Sequence, residues 1–321
     1  MKKGCTAQEV TAVPRSGCRF LLLMLTLLVT LSAWGAGEVL VIGDTSRPYF
    51  RSFTDSLAAS LERNHVDVKT IDTDKLDSVT LNGGKFQCVV TVGNQAARLV
   101  SARQVQSPIL HALVTESFAH DLYQATNGQP LRSFLLIDQP VSRLILLAHT
   151  AMPDRHKLGV LYGPSSVRYR GEVRIQAARA DLQLVEKEIQ NPDQLGDVIS
   201  FFRGNDNILL TLPDPVVVNE STAKTLILGA YLENLPLVGY SQALVKAGAL
   251  MSVYSTPDQL GTQGGELIST SFWNDPARRG ALIYPRYYQV SVNYQVAHAL
   301  QIDLPSENVL TQRLGKLEEI R

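Results

Sequence analysis

The strongest constraint on the fold is a unit that recurs along the chain: a short unbroken apolar run, a small polar stop, then helical spacing. Glu38 to Gly43 (EVLVIG) is apolar from Val39 to Ile42, as expected of a strand covered on both faces. It stops at Asp44-Thr45-Ser46-Arg47-Pro48, after which Phe50, Phe53, Leu57 and Leu61 recur at helical intervals. Residues 66–71 read as a second strand. A third, 87–92, ends at Gly93-Asn94-Gln95 before a helix from Ala96 to about Arg103. A fourth, 108–114, ends at Thr115-Glu116-Ser117.

The rhythm restarts after the strand Ser133 to Asp138. A helix over 141–151 leads to the strand 157–162, which stops at Gly163-Pro164-Ser165-Ser166. A long helix over 168–182 and a strand to Ile189 follow. The strand 207–212 stops at Pro213-Asp214-Pro215, and a helix over 220–233 leads to Pro236-Leu-Val-Gly-Tyr240-Ser241. Repeated strand–loop–helix units dictate parallel sheets with right-handed crossovers. Two successive sets predict an α/β fold of two doubly wound lobes.

Ligands of such sheets bind outside the carboxyl ends of the strands. Those ends carry Thr45, Ser46, Gly93, Asn94 and Thr115 in the first set, and Ser165, Ser166, Asp214, Tyr240 and Ser241 in the second. Hydroxyls, glycine amides and a carboxylate suit a small polar or zwitterionic ligand. Each such residue also has a plain structural use, since Ser, Thr, Asp and Asn cap helices.

Composition narrows the function classes. The chain is 45% apolar and 19% charged, with 30 basic and 30 acidic residues, so no overall field draws it to nucleic acid or an anionic membrane. A basic flank at Arg15 and Arg19, the apolar run Phe20 to Leu31 and the small residues Ser32 to Gly37 form the pattern of a secretory signal. Removal of 1–36 and a periplasmic location are expected, with a retained N-terminal anchor as the alternative. Cys5 and Cys18 would leave with the signal; Cys88, inside an apolar strand, reads as a small core residue.

Catalytic patterns are missing from the sequence. It contains no phosphate-binding glycine loop, no G-x-S-x-G elbow and no metal-ligand spacing among its six histidines. Asp214 has no recognisable nucleophile beside it, and Tyr287, Tyr288 and Trp273 read first as core or rim. Neither a cofactor nor a metal is expected. Binding groups without a catalytic set favour a binding protein over an enzyme.

The stretch PLVGYSQALVKAGALMSVYSTPDQLGTQGGELI (236–268) resembles the ABC transporter substrate-binding family that includes tryptophan- and tyrosine-binding proteins. LGVLYGPSS, LLTLPDPVVVN and VNYQVAHALQIDLP are similar to other segments of that family, and the likeness covers roughly residues 85–305. The resemblance implies a type I periplasmic-binding fold with lobe one at 37–138 plus 255–282 and lobe two at 139–254 plus 283–321. It implies crossings near 137–139, 251–255 and 283–287, closure about that hinge, and a membrane permease as partner to an expected monomer. An amino-acid ligand would set its carboxylate on the lobe-one hydroxyls and amides, and its ammonium near Asp214. Arg47 beside Tyr49 departs from the family pattern and would favour an anionic or aromatic compound. An exported sensor of the same fold and an exported α/β enzyme stay open as rival readings.

Overall fold

The computed structural model describes residues 37–81, 85–126, 131–275 and 280–319, together with Met1. The expected signal segment, with Cys5 and Cys18, lies outside the described residues apart from Met1, as does the Trp273 side chain.

The first series runs β1 (Glu38–Gly43), α1 (Pro48–Glu62), β2 (Asp67–Asp72), β3 (Phe86–Val92), α2 (Asn94–Ser101), β4 (Ile109–Val114), α3 (Glu116–Ala125) and β5 (Arg132–Leu136). The second runs α4 (Val141–Ala151), β6 (Lys157–Tyr162), α5 (Arg170–Arg179), β7 (Gln183–Glu188), α6 (Leu195–Ile199), β8 (Asn207–Thr211), α7 (Ala223–Leu232), β9 (Leu237–Gly239), α8 (Gln242–Ala247) and β10 (Met251–Tyr254). The chain closes with α9 (Pro257–Ser269), β11 (Leu282–Ile283), β12 (Gln289–Val292), α10 (Tyr294–Ala299) and α11 (Glu307–Glu319).

Each series supplies five strands of a six-stranded sheet, and the closing segment adds the sixth, in the orders β11-β5-β4-β3-β1-β2 and β12-β10-β9-β8-β6-β7. The described pairings are parallel except that of β10 with β12. The two orders match strand for strand, and each reverses direction once, between β1 and β3 and between β6 and β8. Crevices for ligands form at such reversals. The strands β1, β3 and β8 are buried along almost their whole length, whereas β2 and β7 stand at sheet edges and keep polar, partly exposed residues. That is why 66–71 alternates where its neighbours read as apolar runs.

The chain passes between the sheets three times, through 137–140, 255–256 and 284–288. Ile283 pairs with Leu135 in the first sheet, one residue beyond the expected boundary at 282. Helix α9 packs on α1, and α11 packs on α4 and β12. The glycines of α9 permit that first contact: a Cβ on Gly261 would lie 2.2 Å from the Phe53 carbonyl oxygen, and one on Gly265 2.5 Å from the Ser60 side chain. Cys88 is wholly buried in the strand that precedes Gly93, and burial pushes its thiol up to about 12.

Three local expectations change. The helix expected over 168–182 splits into a 3-10 turn at Val167–Tyr169 and the shorter α5. The helix expected from 220 begins at Ala223, because Asn219 Oδ1 takes the amides of Ser221 and Thr222 in a turn. Helix α3, which follows Thr115, is additional; Thr115 Oγ1 caps it by accepting from the Phe118 amide, and Phe118, Ala119 and Leu122 are its buried face.

Candidate functional site

The carboxyl ends of both sheets open into one cavity of about 900 Å³. From the first sheet it is lined by Gly93, Asn94 and Arg98 after β3, Thr115 and Phe118 after β4, and Tyr49 at the start of α1. From the second come Ser165, Arg168 and Tyr169 after β6, Asp214 after β8, and Tyr240, Ser241 and Gln242 after β9. Ile137 and Asp138 reach it from the first crossing segment, Ser255 from the second, and Tyr254 from the end of β10. Polar groups from both sheets therefore face a shared space with aromatic walls, the composition of a small-molecule pocket.

Of the ten residues expected at a ligand, Gly93, Asn94, Thr115, Ser165, Asp214, Tyr240 and Ser241 line the cavity; Thr45, Ser46 and Ser166 do not. The reason for the first two is a competing acceptor. The Thr45 amide and hydroxyl both donate to Asp72 Oδ2, at 3.0 and 2.6 Å, at the end of the neighbouring β2. Ser46 donates its amide and hydroxyl to Asp44 Oδ1. The Thr45 hydroxyl, and then the backbone amides that follow, hold the Asp72 carboxyl down at about 2. Tyr49, not this polar loop, is what the β1 end presents to the cavity.

Ser166 is fully buried, and its hydroxyl donates to Asp214 Oδ2 at 2.9 Å. Asp214 itself is only 2% exposed. Its Oδ2 also accepts from the amides of Ser165 and Ser166, at 2.9 and 2.8 Å, and its Oδ1 from the Val216 amide at 2.8 Å. Gly163 makes room for it, since a Cβ there would lie 2.3 Å from the carboxylate. Asp214 thus ties the β6 turn to the β8 turn, and four donors of its own lobe already occupy it. The expectation that a ligand ammonium sits on Asp214 meets a carboxylate whose hydrogen-bonding capacity is largely used.

Thr115 and Ser241 each cap a helix, accepting from Phe118 and Leu244 respectively at 3.3 Å, and each lines the cavity. Helix α2 has no side-chain cap, and Gly93 at its start adopts φ +87°, which a residue with a Cβ rarely takes. Its first amides are therefore free of a side-chain acceptor at the cavity edge. Tyr240 packs on the cores to either side of the second sheet. Burial, and then the charges of Asp138 and Asp214, push its phenol up to about 12.

Asp138 was expected only as part of a crossing segment. Its carboxylate accepts from the Glu116 amide and faces the cavity. Burial, and then the nearby Glu116 charge, pushes its carboxyl up to about 6, against the opposing pull of the Glu116 amide and, more weakly, of Arg168. The one clue in the sequence is an acidic residue standing between an apolar strand and Gln139-Pro140. Arg168 donates to the Tyr169 hydroxyl at 2.9 Å and lies over its ring, and Tyr284 donates to Glu116 Oε2 at 2.6 Å.

The family model described as "ABC transporter substrate binding protein" matches residues 63–312. The chain belongs to that family. Its fold is shared with the ligand-free, open form of CD0873, a substrate binding protein with adhesive properties from Clostridium difficile. The TM-score is 0.64 at 18% identity, over 84% of this chain and 96% of that one. An ABC domain in complex with L-Trp from Streptococcus pneumoniae superposes with a TM-score of 0.54 at 17% identity, over 86% and 97% of the two chains. A conserved domain protein from Vibrio cholerae gives 0.54 at 17% identity, over 87% and 98%. No curated protein matches the chain in sequence.

ABC transporter substrate-binding proteins of this type I periplasmic-binding fold are binding proteins that work outside the cytoplasm. They take up small ligands and deliver them to membrane permeases. Among the described residues no helix is long and apolar enough to cross a membrane.

Proposed function

We propose that this substrate-binding protein serves an ABC importer in the periplasm, after export on the 1–36 segment, and captures a small polar solute by closing two lobes about it. Lobe one would comprise 37–138 plus 255–283, and lobe two 139–254 plus 284–321, with Ile283 assigned to lobe one by its pairing with Leu135. The observation that carries this reading is the cavity of about 900 Å³, lined by strand ends of both sheets and by two of the three segments joining them. A solute held there touches both lobes at once, so its binding energy is fullest when they are closed.

Asn94, Gly93 and Thr115 would grip from lobe one, and Ser165, Tyr240 and Ser241 from lobe two. Asp214 would hold the turn that presents Ser165. Two guanidinium groups, Arg98 and Arg168, and three carboxylates, Asp121, Asp138 and Asp214, line the same space, so a ligand with both signs of charge is matched better than a neutral one. The complex of a fold relative with L-Trp is consistent with an amino-acid solute.

The test is thermal unfolding of the purified protein against amino acids, nucleosides and small organic acids. A ligand at a hundredfold excess over its Kd stabilises by about 2.7 kcal/mol, a readily measured shift. Calorimetry on the hits should return one site per chain. Silence across the whole panel would count against a solute-binding role.

A further inference from the structure

The C-terminal helix α11 carries a polar stripe, Glu307, Thr311 and Glu318, whose spacing places all three on one side of the helix. Glu307 accepts from the Val292 amide at 2.7 Å and Thr311 from the Val290 amide at 3.3 Å, which closes the outer edge of β12. Leu310 and Leu314 are wholly buried beside them. The helix therefore runs back along β12 toward the third crossing segment. Glu318, in its last turn, reaches Arg143 on α4.

That pairing is forked. Nε and Nη2 of Arg143 donate to the two Glu318 oxygens, at 2.6 and 3.2 Å, and the fork fixes the plane of the guanidinium. Nη1 is thereby aimed at the crossing segments, where it donates to the Gln139 side chain at 2.6 Å and to the Pro285 carbonyl at 2.9 Å. Gln139 in turn donates to Ser255 in the second segment at 2.9 Å. Among the described residues Glu318 is the one carboxylate paired with Arg143. Without it a guanidinium only 8% exposed along its side chain becomes a buried cation lacking its counter-charge. Such a group is drawn toward water, and Nη1 leaves the segments it joins.

We propose that α11 is a brace for the hinge. Glu318 is a positioning residue that acts through Arg143 on all three crossing segments. A helix that lines no part of the cavity thus sets the stiffness of lobe movement, and with it the affinity for solute. The effect on affinity rests on the solute-binding reading; the effect on the hinge does not. A stiff hinge leaves the free protein fewer lobe arrangements, so less freedom is lost when a solute fixes one of them. Releasing the brace weakens binding without altering a residue of the cleft.

The test compares Glu318→Gln with Thr311→Val in the whole protein. Both loosen the same helix, but Thr311→Val frees only the Val290 amide and leaves the Arg143 fork intact. Hydrogen exchange is followed by mass spectrometry on peptides covering 137–140, 255–256 and 284–288. In Glu318→Gln exchange should quicken about fivefold or more in all three, and in Thr311→Val it should stay within about twofold of wild type. The response of 137–140 and 255–256 is the telling one, because Arg143 is what joins them to α11. Where Glu318→Gln folds poorly, Glu318→Asp should give the same three-segment response at smaller size. Calorimetry with L-tryptophan is the second measurement: affinity should fall about fivefold in Glu318→Gln and change less than twofold in Thr311→Val.

Faster exchange confined to 284–288, equal responses in the two variants, or no response in either would overturn the brace. Quickened exchange with L-tryptophan affinity unchanged overturns its control of affinity. If neither L-tryptophan nor the wider panel binds wild type, the solute-binding role fails instead, and the exchange comparison still decides the brace.

Discussion

Arg143 donates from one guanidinium nitrogen to the side-chain oxygen of Gln139, at 2.6 Å, and from the same nitrogen to the Pro285 carbonyl, at 2.9 Å. Gln139 lies in the first crossing segment and Pro285 in the third. Gln139 also donates to Ser255 in the second, and Ser255 donates to the Tyr287 carbonyl in the third at 2.6 Å. One side chain of α4 therefore binds together the three segments that any opening or closing of the lobes must bend. The C-terminal helix joins the same knot, because Glu318 accepts from Arg143 at 2.6 and 3.2 Å.

Removing Arg143 should loosen the hinge and the fold together. The Arg143 side chain is 8% exposed, and its guanidinium stacks 4.1 Å from the centre of the Tyr288 ring. Arg143→Met leaves Glu318 and two further acceptors without their donor, a loss of roughly 3 kcal/mol when a largely buried pair is broken from one side. Arg143→Lys should recover little of it, since an ammonium cannot reproduce a forked set of donors. Urea unfolding of the three proteins gives the comparison; a Lys variant as stable as wild type would show that charge alone suffices.

The unliganded protein should lose stability as pH rises through the range in which Asp138 titrates. Its carboxyl belongs near 3.8 in the unfolded chain and at about 6 in the fold, so the fold binds the proton more tightly. Stability from this group is therefore greatest below about pH 4 and falls until about pH 6, by roughly 2–3 kcal/mol at most. Asp138→Asn removes that cost. The variant should melt above unliganded wild type near neutral pH, and the difference should close in acid. Parallel melting curves at every pH would contradict the burial argument.

Two glycines of one helix should respond with opposite signs to the same substitution. In Gly261→Ala the new Cβ meets the Phe53 backbone at 2.2 Å, so α9 and α1 must separate, at a cost of about 1–3 kcal/mol. In Gly264→Ala it meets the Leu57 and Phe53 side chains at 3.4 and 3.5 Å, ordinary contact distances. There the better helix propensity of alanine should leave stability unchanged or raise it by up to about 1 kcal/mol. Chemical denaturation of both variants decides it, and equal losses would mean that side-chain crowding, not backbone approach, governs this packing.

What the sequence determined by itself was the parallel strands from β1 to β9 and the ends at which polar residues collect; β11 and β12 were not legible in it. Apolar runs such as Val39 to Ile42 and Ile208 to Leu210 are local patterns, and their physics is local: a strand covered on both faces favours apolar side chains. Parallel pairing followed, because each strand was separated from the next by a helix-length crossover. Which polar residues line the cavity was decided only by the tertiary structure. Thr45 is turned aside by Asp72, which is 27 residues away, and Asp214 is filled by Ser165 and Ser166, 49 and 48 residues away. A hydroxyl or carboxylate goes to whichever partner the folded chain brings within about 3 Å, and single-residue identity carries no record of that partner. Asp138, inconspicuous in sequence, stands half-buried at the cavity wall, where among the described residues the Glu116 amide is its one hydrogen-bond donor.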